Sequence, residues 1–289
     1  MKTVPVALIA VFAVMHTPML PAEDSVKIYD SSREGDSGQV RTVQLSAPMV
    51  SFDIKALTSS DGAGDPSIAA VSVNEMQTAP TLALNVTGPQ FTLAQQPYTV
   101  ELLDREADRK GFRARWELPG GTVVLTLVTN DDPSPVLYGR LRVERSDPFK
   151  ILLLLAPGGY APEAEERDRR VFTENLDNQH SDDTLPIATN WLLLYDTKLD
   201  PELSQNGKGA AGLLWNDMAG SDVSFQCGAY VSTLTVNVPA GDGENVFDFI
   251  LWPFTGVPNE SAKAEMKERA AGLLKSFSDS KERLFGAKN

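Results

Sequence analysis

Arginines, aspartates, asparagines and one histidine crowd into Glu163–Asn190, the most polar long stretch of the chain. It lies between two apolar runs, Ile151–Leu155 and Trp191–Tyr195, so it reads as a long loop between packed strands, a common place for binding sites. Arg169, Arg170, Asn175 and His180 would supply donors to a sugar hydroxyl or a uronate carboxylate, with Trp191 and Tyr195 close by. The competing reading is a solvated, partly helical connection. Asp177, Asp182 and Asp183, with Asn178, could gather around Ca²⁺, which wants several hard oxygens, although their spacing does not follow the EF-hand pattern. Glu174, Asp177 or Asp183 could form the carboxylate pair of a glycosidase if the fold brings two of them face to face.

Other chemistries lack their residues. Only His16 and His180 exist, and His16 lies in the N-terminal apolar segment, so a site of two or three histidines is excluded once that segment is removed. No GxSxG elbow accompanies His180. Cys227 is the single cysteine and sits in a strand-like segment, Val223–Tyr230, which suits a buried inert thiol. One cysteine allows neither an intrachain disulfide nor a CxxC metal motif. No phosphate-cradling glycine motif follows a strand; Gly120-Gly121 and Gly158-Gly159 read as turns. The four tryptophans, Trp116, Trp191, Trp215 and Trp252, each lie in or beside an apolar strand, where core packing is the default and one could serve as a sugar platform.

These residues have to be positioned by strands. In Gly111–Leu118, Phe112, Ala114, Trp116 and Leu118 fall on one face, and Arg113, Arg115 and Glu117 on the other. Pro119-Gly120-Gly121 turns the chain and Thr122–Thr129 runs back, the strongest hairpin in the sequence. Similar short strands recur between glycines, prolines, asparagines and aspartates, with little helical periodicity between them. The predicted class is all-β: a large antiparallel sandwich closed by a C-terminal amphipathic helix. That helix follows Pro258, with Asn259 as its cap and Ala262, Met266, Ala270, Leu273 and Phe277 as its apolar stripe. Ser59–Pro66 reads as a polar connector.

At the N-terminus, Lys2 precedes an apolar run from Val4 to Val14, and Ala22 stands before Glu23-Asp24. This is the order of a secretory signal peptide, and the run is too short to span a bilayer. The expected division is a signal peptide over 1–22, a sandwich over 23–257 and a packed helix over 258–289. No later stretch is apolar enough to cross a membrane, and the expected location is secreted or periplasmic. The 289 residues carry a net charge of −13, which becomes −14 when Lys2 leaves with the signal. Such a field repels phosphate backbones, so nucleic acid is not an expected partner.

The hairpin GFRARWELPGGTVVLTLVT, the later strands WLLLYD, GLLW and FDFILWPF, and the closing helix resemble the supersandwich of galactose mutarotase-like proteins. The resemblance covers roughly residues 39–257 and rests on strand pattern and order. It implies an antiparallel supersandwich fold, shared with polysaccharide lyases and glycosidase accessory domains. Aldose epimerases of this fold use two histidines and a glutamate, a set the chain cannot supply after signal removal. A lyase would work with tyrosine and basic groups, for which Tyr160, Tyr195, Arg169 and Arg170 are the nominal candidates. The reading is therefore an exported binding module without a catalytic centre of its own and without a cofactor beyond possible calcium, its expected partner carbohydrate. A structural or interaction protein of the cell envelope, partnered by another envelope protein, stays open. So does a polysaccharide lyase or divergent glycoside hydrolase.

Overall fold

The computed structural model of the chain describes residues 26–32, 38–47, 50–59, 71–73, 80–93, 96, 98–103, 109–130, 136–161, 163–179 and 184–286. The expected signal peptide, most of the 59–66 connector, and His180, Asp182 and Asp183 fall outside these residues.

Among the described residues, twenty strands and one long helix follow in order. The first six are β1 (Val26–Ser32), β2 (Gly38–Ala47), β3 (Val50–Ser59), β4 (Val71–Val73), β5 (Thr81–Gly88) and β6 (Phe91–Thr92). Then come β7 (Thr99–Leu102), β8 (Arg109–Leu118), β9 (Gly121–Asn130), β10 (Leu137–Glu144), β11 (Phe149–Ala156) and β12 (Gly158–Gly159). Three short strands follow, β13 (Arg169–Phe172), β14 (Asp177–Gln179) and β15 (Thr184–Pro186). The last five are β16 (Trp191–Asp196), β17 (Gly207–Trp215), β18 (Asp222–Gln226), β19 (Ser232–Val238) and β20 (Glu244–Thr255), and α1 (Asn259–Phe285) closes the chain.

The strands form two ten-stranded sheets. One runs β1-β2-β3-β4-β5-β11-β19-β18-β15, with β6 on β5. The other runs β14-β13-β16-β17-β20-β10-β9-β8-β7, with β12 on β17. Every pairing is antiparallel, so the molecule is the sandwich that period-two alternation predicts. The core lies between the sheets: Phe112, Ala114, Trp116 and Leu118 of β8 meet Leu82, Leu84 and Val86 of β5 and the inward leucines of β11 in one apolar cluster. At the β8–β9 turn, Gly120 has φ +83°, a left-handed conformation that glycine adopts without steric cost.

Under the helix, the second sheet buries both faces. Its outer face carries a second apolar cluster, in which Tyr138, Trp191, Leu193, Tyr195, Ile250 and Trp252 pack against α1. The helix contributes the predicted stripe: Ala262, Met266, Ala270 and Phe277 are buried, and Leu273 is half-buried. Gly212 of β17 lets the helix approach, since a Cβ there would lie 3.0 Å from Met266 Sδ. Asn259 does not cap α1. It is the first helical residue, and its side-chain amide donates to the Asp196 carbonyl at 2.8 Å. The acceptor for its backbone N–H is the Asp200 carboxylate, at 3.0 Å, which places a negative charge at the positive end of the helix. A turn far away in sequence thus caps the helix and fixes where it starts.

Two further sequence expectations are corrected. The Glu163–Asn190 stretch is not a continuous loop. It contains β13 and β14, at one edge of the second sheet, and β15, at an edge of the first. Edge strands of three or four residues need little apolar alternation, so the polar sequence hid them. Gly158-Gly159 is not a simple turn either; it pairs with Gly209 and Gly207 of β17 through an irregular register.

Candidate functional site

β13 and β16 set the fate of the residues picked from the polar stretch. Arg169 and Val171 point between the sheets, and Arg170 and Phe172 point outward. Arg169 is buried and faces Asp196 at 3.3 Å. The pair attracts by charge, but neither Arg169 Nε nor Asp196 Oδ2 completes a hydrogen bond. Burial lowers the Arg169 pKa to about 10, and Asp196 opposes that shift. Asp196 Oδ1 accepts the backbone N–H groups of Asp168, Lys198 and Leu199, so this carboxylate organises a turn.

On the outer face, Tyr195 donates its hydroxyl proton to Asp177. Lys263 of α1 donates to the other Asp177 oxygen at 3.0 Å and lies 4.3 Å from the Tyr195 ring centre. Burial and the bond to Asp177 push the Tyr195 pKa up to about 12, against the pull of Lys263. Arg170 is half-buried and pairs with Asp168 at 3.2 Å. Tyr195, Asp177 and Lys263 therefore form one knot that fastens the helix to the sheet edge. Asn175 is exposed in the β13–β14 turn, where its backbone N–H donates to the Thr173 hydroxyl. Trp191 is buried against Phe172, and all four tryptophans are buried. Among the described residues the exposed tyrosines are Tyr160 and Tyr230, and Arg167 covers the Tyr230 ring at 4.0 Å.

Cys227 is buried, and Ser232 Oγ donates to its sulfur at 3.8 Å. Burial raises the thiol from an ordinary value of 9.0 to about 11, against the opposing effects of Ser232 and Arg169. A raised pKa means the fold favours the protonated thiol. That contribution to stability is intact below pH 9 and is lost as pH climbs through about 11. A chromogenic thiol reagent at pH 8 should leave the native chain unlabelled and take up one equivalent after unfolding; rapid labelling of native protein would show the thiol open to solvent.

The outer face of the second sheet also carries a site that the polar stretch does not supply. β7, β8, β9, β10 and β20 are neighbours, and their register places Glu101, Arg113, Thr126, Arg140 and Asp248 in one cross-strand row. Two residues along, Arg115, Val124 and Arg142 form a parallel row across β8, β9 and β10. Residues two apart on a strand share a face, so the four arginines form a two-by-two grid around Val124 and Thr126. The end of α1 closes one side with Glu282, Phe285 and Gly286, leaving a cavity of about 370 Å³.

The arginines differ in fixity. Arg140 is nearly buried; its Nε and Nη2 donate to the two Asp248 oxygens at 2.7 and 3.1 Å, and its guanidinium lies 4.6 Å from the Phe285 ring centre. The other three hold single contacts. Arg113 meets Glu101 at 3.2 Å, Arg142 meets Glu244 at 3.1 Å, and Arg115 bonds Glu117, lowering that carboxyl below its usual range. None of those three glutamates lines the cavity. Of its nine lining residues, four are arginines and one, Glu282, is acidic; the carboxylates paired with the arginines, Glu101, Glu117, Glu244 and Asp248, stand behind the wall rather than in it. Among the described residues, no group of three or more His, Cys, Asp or Glu side chains is placed to hold a metal ion, and no helix is long and apolar enough to cross a membrane.

No protein-family model matches the chain, and no curated protein sequence matches it. Solved structures do. An α-N-acetylgalactosaminidase (NagBb) from Bifidobacterium bifidum, in its GalNAc complex, is 8% identical with a TM-score of 0.46; the match covers 83% of this chain and 39% of that one. Its ligand-free form matches at 9% identity with the same TM-score and coverage. The chain thus spans about 39% of the length of that enzyme. A galactose 1-epimerase from Lactobacillus acidophilus NCFM is 10% identical with a TM-score of 0.41, covering 81% of this chain and 99% of the other.

Sequence reasoning read Arg113 and Arg115 as the wet face of a hairpin and passed over Arg140 and Arg142. The alternation Arg140-Leu141-Arg142-Val143 carries the same signal, a basic side chain at every second position beside an apolar one. Two such strands separated by one more strand were the legible hint.

Proposed function

We propose that the chain is an exported binding module for carbohydrate and that the cavity between β8–β10 and the end of α1 is its ligand site. The observation that carries this reading is the grid of four arginines around a cavity of about 370 Å³. That volume falls in the range of small-molecule sites and suits one or two sugar rings. Guanidinium groups present planar forks of donors to hydroxyl and carboxylate oxygens. Hydrolysis would need two opposed carboxylates, and the lining has one, Glu282. A lyase would need a proton-abstracting group such as tyrosine, and no tyrosine lines the cavity. Export rests on the order of charge, apolar run and small residue at residues 2–22.

A second reading, an interaction protein of the cell envelope, draws on Tyr160, Leu203, Tyr230 and Val231, four large apolar side chains that stand exposed. One panel separates the two. Neutral and acidic oligosaccharides are titrated against the chain and against Val124→Trp, which fills the cavity from its middle strand. The wild type should bind at least one member, and the variant should bind it about tenfold or more weakly, the scale of one lost pocket contact. Silence across the panel, or equal binding by both proteins, contradicts the site assignment.

A further inference from the structure

We propose that the ligand of this cavity is an acidic saccharide bearing two anionic groups, carboxylate or sulfate, each taken by a different part of the arginine grid. The inference rests on the carbohydrate reading above and names the ligand class. Its ground is geometry. Arg113 and Arg140 stand two strands apart in one row, with Thr126 between them; Arg115 and Arg142 repeat the arrangement around Val124. Neighbouring strands lie about 4.8 Å apart and residues advance about 3.4 Å, so the backbone positions mark a rectangle of roughly 10 by 7 Å. A single anion is too small to engage the whole grid. Two anionic groups on one or two sugar rings can meet it across the cavity.

The existing ion pairs permit this. Arg140 is committed: both its bonds go to buried Asp248, and it acts as the fixed wall. Arg115 and Arg142 have side chains 50% exposed, and their contacts go to Glu117 and Glu244 outside the cavity. Arg113 is more covered but spends only Nη1 on Glu101. Exposed pairs of this kind are weak and solvent-screened, so an entering anion displaces them at little cost. A guanidinium carries five N–H donors, and donors remain beyond those engaged. A carboxylate or sulfate accepts two parallel N–H bonds from one such fork. Glu282 is the single acid in the wall; it is 84% exposed and lies 3.8 Å from Arg140, free to swing outward when an anion enters. The net charge of −13 repels long polyanions, which favours a short acidic saccharide over a nucleic acid.

The test is calorimetric titration of the full chain with four probes: a short oligogalacturonate, its methyl ester of equal length, a sulfated disaccharide, and inorganic phosphate. The acid or the sulfated sugar should bind about tenfold or more tightly than the ester, the scale of one lost charged hydrogen bond. Which of the two binds better identifies the anionic group. Arg113→Gln and Arg142→Gln should each weaken the preferred acidic probe about fivefold to fiftyfold and weaken the ester by a smaller factor. Glu282→Gln should tighten it about twofold to fivefold by removing a like charge. Thermal melts matching the wild type confirm that the rim variants are folded, and the opposite sign at Glu282 does not depend on any loss of structure. An ester that binds as well as the acid overturns this inference and leaves the carbohydrate reading standing. Phosphate binding as tightly as either acidic sugar also overturns it, since one small anion would then suffice. Failure of every saccharide overturns the carbohydrate reading itself.

Discussion

An Arg140→Ala chain should lose roughly 3–5 kcal/mol of unfolding free energy, the usual result of breaking a buried ion pair on one side. Arg140 and Asp248 have side chains only 10% and 5% exposed. Removing the guanidinium deletes both hydrogen bonds and leaves a carboxylate with little access to water. The loss also exposes the ring of Phe285, over which the guanidinium lies. Denaturant titration would show a lower midpoint at an unchanged slope. The double change Arg140→Met with Asp248→Leu should recover most of the loss, because apolar residues of similar volume often replace a buried pair without cost. A single-variant loss under about 1 kcal/mol would mean that Asp248 readily finds water or another partner. Arg140 would then be a rim residue like its three neighbours.

Phe277→Ala should cost a similar roughly 3–5 kcal/mol, here by leaving a cavity in an apolar cluster. Phe277 is 1% exposed, its ring centre 5.1 Å from that of Tyr138 and 5.9 Å from that of Phe285. It anchors the last turns of α1 to β10. Those turns deliver Glu282, Phe285 and Gly286 to the arginine grid, so loosening them opens the cavity. Saccharide affinity should fall even where the variant is still folded. Lys275→Ala, on the exposed side of the same helix, should change stability by no more than about 0.5 kcal/mol. Equal losses for the two variants would mean that the helix is not held by its apolar stripe.

The pattern of the strands was written in the sequence wherever one face had to be buried. Phe112, Ala114, Trp116 and Leu118 announce β8, and Ala262, Met266, Ala270 and Phe277 announce the face of α1. The short polar strands β13–β15 gave no such notice, since an edge strand with Arg169 inward and Arg170 outward has no apolar period to read. The candidate site was hidden for a different reason. Arg113 and Arg140 are 27 residues apart in the chain, and only the pairing of β8, β9 and β10 puts them in one row. What turns that row from an ordinary wet face into a cavity is the end of a helix arriving from residue 282 onward. Register and long-range packing are not encoded in local alternation. The polar stretch that does stand out in sequence supplies mostly structural contacts: Arg169 faces Asp196 between the sheets, and Asp177 holds Tyr195 and Lys263.

A crystal structure of the chain with a bound acidic oligosaccharide tests the central claim most directly. Sugar density should sit over Val124 and Thr126, contacting Arg113, Arg115 or Arg142, with Glu282 turned away. Ordered sugar at the Tyr160 and Tyr230 end of the sandwich, with the arginine grid empty, would contradict it.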